Sequence, residues 1–127
     1  MNIIKNIKYT KKKLFLFFED VHKYHVLSLM KLLNKRFIIK ISSQNPEYLI
    51  YSVFGCKHLN KKYINSIKIA YFTENQIPDF NIADYAISQA HINYLDRYFR
   101  KPEFLSVIQI VNKFSISFIK IFLYKKI

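Results

Sequence analysis

The chain contains a single glycine, Gly55, no tryptophan, one cysteine, and 8 acidic residues against 21 Lys and Arg. Each scarcity excludes something. With one glycine there is no Gly-rich loop to cradle a phosphate, so neither a P-loop nor a dinucleotide fingerprint is present. Cys56 alone cannot build an intrachain disulfide framework. That suits a reducing compartment, and Cys56 reads as a small, partly buried residue. His22 and His25 are close in sequence, but no further His or Cys lies near enough to complete a metal site. Long apolar runs are also missing. The stretch LFLFF, from Leu14 to Phe18, is too short for a signal core and is closed by Glu19 and Asp20.

What is present is an ordinary single domain's worth of material: 127 residues, 51% hydrophobic and 17% aromatic, enough to bury a core. The net charge of +13 invites a nucleic-acid or anionic-membrane partner. The lysines are scattered, however, and the densest groups, Lys11–Lys13 and Lys61–Lys62, are short. Lys, Asn, Ile, Phe and Tyr share AT-rich codons, so genome composition alone is enough to account for this bias without a charged partner. No specific nucleic-acid partner is expected.

Hydrophobic patterning predicts an α/β organisation. Leu14–Phe18 reads as a strand buried on both faces. Val26, Leu27, Leu29, Met30, Leu32 and Leu33 form one apolar face of a helix over His25–Phe37. Strands are predicted at Phe37–Ile41, Tyr48–Phe54, Ile67–Phe72 and Ala83–Ile87, with a turn at Asn45-Pro46 and a polar, partly helical connector over Cys56–Asn65. This is the pattern of a Rossmann-like, open, mostly parallel sheet. Ligands of such sheets bind beyond the carboxyl ends of the strands, which is where Thr73, Glu74 and Asn75 fall.

From Phe104 to Ile127 the apolar residues Val107, Ile108, Val111, Phe114, Phe118, Ile121 and Phe122 recur at three- and four-residue steps. An amphipathic helical tail is predicted. Lys113 and Lys120 make it a poor membrane span. It suits packing on its own sheet or on a partner and, second to that, an anionic membrane surface.

The stretch YFTENQIPDFNIADYAIS, residues 71–88, concentrates Glu, Asp and Pro in a chain otherwise poor in them. Taken alone, Glu74 is a helix cap, a surface charge or a general base, and surface charge is the commonest case. Asp79 follows Pro78 and is a natural turn residue. Asp84 is suited to capping or to hydrogen-bonding the loop.

As a whole the stretch resembles the N-terminal domain of the bacterial α-1,3-fucosyltransferases, which read Y-T-G-E-N-x-x-P-x-F-N-L-x-D-Y-A-I-G-F-D and then D-R-Y-L-R-x-P. Tyr71, Glu74, Asn75, Pro78, Phe80, Asn81, Asp84, Tyr85, Ala86 and Ile87 match, followed by Asp96, Arg97, Tyr98, Arg100 and Pro102. Upstream, NPEYLIYSVFG at Asn45–Gly55 resembles the family's N-P-D-Y-L-F-Y-S-x-F-G, and His58-Leu59 continues it. The resemblance runs from about Leu14 to Phe104.

It implies one half of a two-domain GT-B glycosyltransferase: residues 1–104 as the acceptor-side domain, with 105–127 outside the family pattern. The implied activity is transfer of fucose from GDP-fucose to an N-acetylglucosamine-containing glycan. By resemblance Glu74 is the general base, and Asn75, Asp79, Asp84 and Arg97 bind acceptor or shape the loop. Neither cofactor nor metal is implied, since cationic side chains can hold the departing diphosphate. The implied location is the cytoplasm, or peripheral attachment at the inner membrane face.

Two departures matter. The family's Thr-Gly before Glu is Phe72-Thr73 here, and Gly reaches backbone angles that Thr does not adopt cheaply, so an altered loop is expected. The family's G-F-D is Ser88-Gln89-Ala90. The donor-half signature F-E-N-S…Y-x-T-E-K is not found after Pro102. GDP-fucose is therefore expected to bind only through a separate donor domain, and the chain, as a truncated form, to bind acceptor weakly and be inactive alone. The competing expectation is a non-catalytic membrane-surface or protein-interaction module on the same half-fold.

Overall fold

The computed structural model describes residues 12–100 and 121–122. Six strands form one sheet: β1 (Lys12–Glu19), β2 (Phe37–Ile41), β3 (Tyr48–Tyr51), β4 (Ile67–Tyr71), β5 (Tyr85–Ser88) and β6 (Tyr98–Arg100). Their spatial order is β2-β1-β3-β4-β5-β6, and every neighbouring pair is parallel. The sheet is thus wholly rather than mostly parallel. The α-helix α1 (Lys23–Leu33) links β1 to β2, and the connections from β2 to β6 are loops and short 3-10 turns.

The central strands explain themselves. All four residues of β3 (YLIY) and of β5 (YAIS) are buried, as continuous apolar runs in a parallel sheet should be. On one face Leu29, Leu32 and Leu33 of α1 pack with Leu14, Leu16, Tyr48, Ile50, Ile69, Tyr71 and Ile87. On the other, Tyr51, Ala70, Phe72, Ala83, Ala86 and Tyr98 form a second cluster. Among the described residues no helix is long and apolar enough to cross a membrane.

Several expectations need correction. β1 is not buried on both faces: Leu14 and Leu16 are fully buried, but Phe15 between them is 43% exposed. Alternate side chains of a strand point to opposite faces, and only the Leu14–Leu16 side meets α1. The helix begins earlier than predicted, because the His22 ring nitrogen accepts a hydrogen bond from the Tyr24 amide at 3.2 Å and caps it. It ends at Leu33, which frees Phe37 to open β2. The predicted third strand stops at Tyr51, and the fifth begins at Tyr85. Three-residue β6 carried no periodicity to read. Cys56 is exposed rather than partly buried.

The boundary expected at residue 104 and most of the predicted tail helix lie outside the described residues. Ile121 and Phe122 do not. Their backbone is helical and their side chains are buried. The Phe122 ring sits 4.8 Å from that of Tyr48 and 6.1 Å from that of Phe37, and Lys12 Nζ donates to the Phe122 carbonyl at 3.0 Å.

Candidate functional site

The strand order contains one reversal. The chain leaves β1 toward β2 on one side and returns to β3 on the other. At such a switch point adjacent loops diverge and leave a crevice beyond the carboxyl ends of the strands. A cleft of about 480 Å³ lies there, lined by His22, Tyr24, His25, Phe54 and Thr73. His22, Tyr24 and His25 come from the end of the β1 loop and the first turn of α1, Phe54 follows β3, and Thr73 follows β4.

The wall is a cluster of edge-on and tilted aromatic rings with polar edges. His25 packs on Tyr24 (ring centroids 5.5 Å apart), His22 (6.2 Å) and Tyr71 (5.6 Å). Burial pushes the Tyr71 pKa up to about 12, so its hydroxyl stays neutral at physiological pH. Tyr24 and Phe54 are 58% and 65% exposed. Free aromatic faces beside imidazole and hydroxyl edges suit a ligand that presents both C–H and O–H groups.

The loop on the β1 side is held by a close approach. Asp20 lies in the left-handed region at φ 59°, and its carboxylate rests against Gly55, where any Cβ would overlap it. A side chain at position 55 would have to displace that carboxylate.

Glu74 and Asn75 directly follow Thr73, and both are exposed at the carboxyl edge of the sheet. Among the described residues the Glu74 carboxylate has no hydrogen-bond partner. Of the described non-glycine residues only Asp20, Asn45 and Leu95 have positive φ, so Thr73 occupies ordinary backbone space.

The remaining predicted residues gather elsewhere. Asp84 immediately precedes β5, which places it at the amino edge of the sheet, opposite Glu74. Its Oδ2 accepts from the Lys68 amide at 2.8 Å. Asp79 Oδ1 accepts from the Asn81 amide at 2.9 Å and closes a turn. Arg97 donates to the carbonyls of Asp84 (2.8 Å), Ala83 (2.9 Å) and Phe80 (3.2 Å). Its guanidinium also lies about 5 Å from the Phe80 and Tyr94 rings, which stack at 4.0 Å. The structure therefore brings Asp79, Asp84 and Arg97 together around the loop before β5, apart from Glu74 and Asn75.

The cleft-lining His22, Tyr24, His25 and Phe54 were not predicted as site residues. Their signal was topological: they sit in the loops that flank the reversal between β1 and β3. Among the described residues no His, Cys, Asp or Glu group converges to hold a metal.

With this geometry in place, comparison with known proteins defines the class. Residues 13–107 match the "Alpha-(1,3)-fucosyltransferase FucT N-terminal domain" family, and the chain belongs to it. Among particular proteins, it is 32% identical over 88 residues to the Alpha-(1,3)-fucosyltransferase FucT of Helicobacter pylori, a match that covers 66% of this chain and 18% of that protein. The chain thus spans about a fifth of the length of this relative.

The fold matches a crystal structure of an α1,3-fucosyltransferase with a TM-score of 0.60 and 21% identity, covering 76% of this chain and 30% of that one. Crystal structures of an α1,3-fucosyltransferase with GDP and with GDP-fucose match with TM-scores of 0.55 and 0.54. Each is 20% identical to this chain, covers 76% of it, and is itself covered over 28% and 29%.

Proposed function

We propose that this chain is the acceptor-side half of an α-1,3-fucosyltransferase, in which the cleft between β1 and β3 receives an N-acetylglucosamine-containing glycan and Glu74 is the general base. The observation that carries the proposal is the position of Glu74: it directly follows Thr73, a wall residue of the switch-point cleft, in a chain of this family. Tyr24 and Phe54 offer faces to the sugar rings, and His22 and Thr73 offer hydrogen-bonding edges to the hydroxyls.

In the proposed reaction the Glu74 carboxylate takes the proton of the acceptor hydroxyl as that oxygen attacks C1 of the fucosyl group. The bond from C1 to the diphosphate oxygen breaks on the opposite face, GDP departs with the electron pair, and the configuration inverts. Asn75, exposed beside Glu74, serves as an acceptor-binding or loop-shaping residue. Asp79, Asp84 and Arg97 serve as loop-shaping residues, consistent with bonds that run to backbone rather than toward the cleft.

Binding of GDP-fucose is assigned to a donor-binding unit beyond this domain. A solved α1,3-fucosyltransferase holds GDP-fucose, and the chain covers 29% of that structure. The isolated 127-residue polypeptide is expected to bind acceptor weakly and not to turn over. Attachment to a membrane surface through the tail has less support, because Phe122 is committed to the core.

The test is Glu74→Gln in an enzyme completed with a donor half. Loss of a general base lowers turnover by about a hundredfold or more, with acceptor KM little changed. Unchanged turnover would remove Glu74 from the role.

A further inference from the structure

Ser88 ends β5, one strand over from the loop that carries Glu74, and Gln89 follows it. Ser88 is fully buried. Its Oγ lies 2.5 Å from the Gln76 carbonyl and 3.4 Å from the Glu74 carbonyl. A hydroxyl has one proton to donate, so the shorter contact is the bond. Gln89 Nε2 donates to the Thr73 carbonyl at 2.6 Å. The two side chains therefore grip the backbone on both sides of Glu74, one residue before it and two after.

The grip is itself anchored from the next strand. Arg100 Nε donates to the Gln89 carbonyl at 3.1 Å, and the Tyr98 hydroxyl donates to the Ala90 carbonyl at 2.7 Å. The Arg100 guanidinium also meets His91 Nε2 at 2.7 Å. β6 thus fixes the segment after β5, and that segment fixes the loop after β4.

Such bracing answers a need. Residues 73–76 have no helix or strand to order them, and within the loop the Gln76 amide donates to the Glu74 carbonyl at 2.9 Å. An exposed loop held so lightly samples many conformations. With no partner for the carboxylate among the described residues, the placement of Glu74 depends on how firmly its backbone is held.

We infer that Ser88 and Gln89 are positioning residues, which hold the 73–76 loop so that Glu74 is presented at the cleft in one orientation. The grip is a statement about the loop, while its use in catalysis rests on the reading of Glu74 as the base.

Backbone 15N relaxation of the 127-residue chain, with Ser88→Ala, Ser88→Thr and Gln89→Ala, tests the inference. Ser88→Ala and Gln89→Ala are expected to lower the order parameters of residues 73–77 from rigid values of about 0.85 to below about 0.6, with β3 and β4 unchanged. Ser88→Thr, which keeps the hydroxyl, is expected to keep the loop rigid. Two results would overturn the inference: unchanged order parameters in both alanine variants, or an equal drop throughout β3 and β4, which would make the pair general fold supports. A parallel titration of the unaltered chain with N-acetyllactosamine separates the two levels. No binding there counts against the acceptor reading, while the relaxation result still decides the grip.

Discussion

Gly55 lies directly against the carboxylate of Asp20, in contact so close that a Cβ at position 55 would overlap it. This contact joins the loop after β1 to the loop after β3, the two sides of the sheet's reversal, and Asp20 Oδ2 also lies 3.4 Å from the Lys57 amide. Gly55→Ala is expected to push the Asp20 carboxylate aside and cost about 1 kcal/mol. Asp20→Gly in the same chain should recover much of that loss, by removing the clash and relieving the left-handed backbone at position 20. Urea unfolding of the single and double variants measures both. A Gly55→Ala chain as stable as the parent would contradict the packing described.

Arg97 serves three backbone carbonyls and two aromatic rings at once. Lysine cannot reproduce a planar fork, so Arg97→Lys should lose most of what Arg97→Ala loses, about 1–3 kcal/mol. Chemical denaturation checks the comparison. A fully stable lysine variant would show that charge alone suffices there.

Much of the sheet was legible in the sequence, for a physical reason. A strand inside a parallel sheet is buried on both sides, so β3 and β5 appear as unbroken apolar runs. β6 was not legible because three residues carry no period. The start of α1 was set by a histidine cap, which resembles no common capping signal. For the candidate site, Glu74 and Asn75 stood out because acidic residues are scarce and the surrounding pattern is long. The cleft walls did not, since His22 and Phe54 become neighbours only when β1 and β3 lie side by side. Asp84 and Arg97 could be named but not placed. Only the sheet shows that they lie at the edge opposite Glu74.

His58 stacks on Tyr51 with ring centroids 4.0 Å apart, and burial lowers its pKa below the ordinary 6.5. The unfolded chain then takes up a proton near 6.5 while the folded chain resists. The stabilisation from neutral His58 is full above that pH and is lost as pH falls through the folded value. At the other extreme, burial raises Tyr48, Tyr51 and Tyr71 from 10.0 to about 12. Their contribution is full below pH 10 and is lost as pH rises through the folded value. Urea midpoints across this range should fall at both ends. His58→Phe, which keeps the stacked ring, should flatten the acid limb, and an unchanged acid limb would remove His58 as its cause.

Phe122 fills the space between Phe37 and Tyr48. Phe122→Ala should cost about 3–5 kcal/mol as a core cavity. A loss well under 1 kcal/mol would mean that this part of the tail is not committed to the sheet.

The central claim is that the switch-point cleft takes a glycan acceptor and not the nucleotide sugar. The most direct measurement is an NMR-monitored titration of the purified chain with N-acetyllactosamine and, separately, with GDP-fucose. Weak, saturable shifts are expected from the disaccharide at His22, Tyr24, His25, Phe54, Thr73 and Glu74, and none from GDP-fucose. Saturable binding of GDP-fucose at those residues, or no response there to the disaccharide, would contradict that claim.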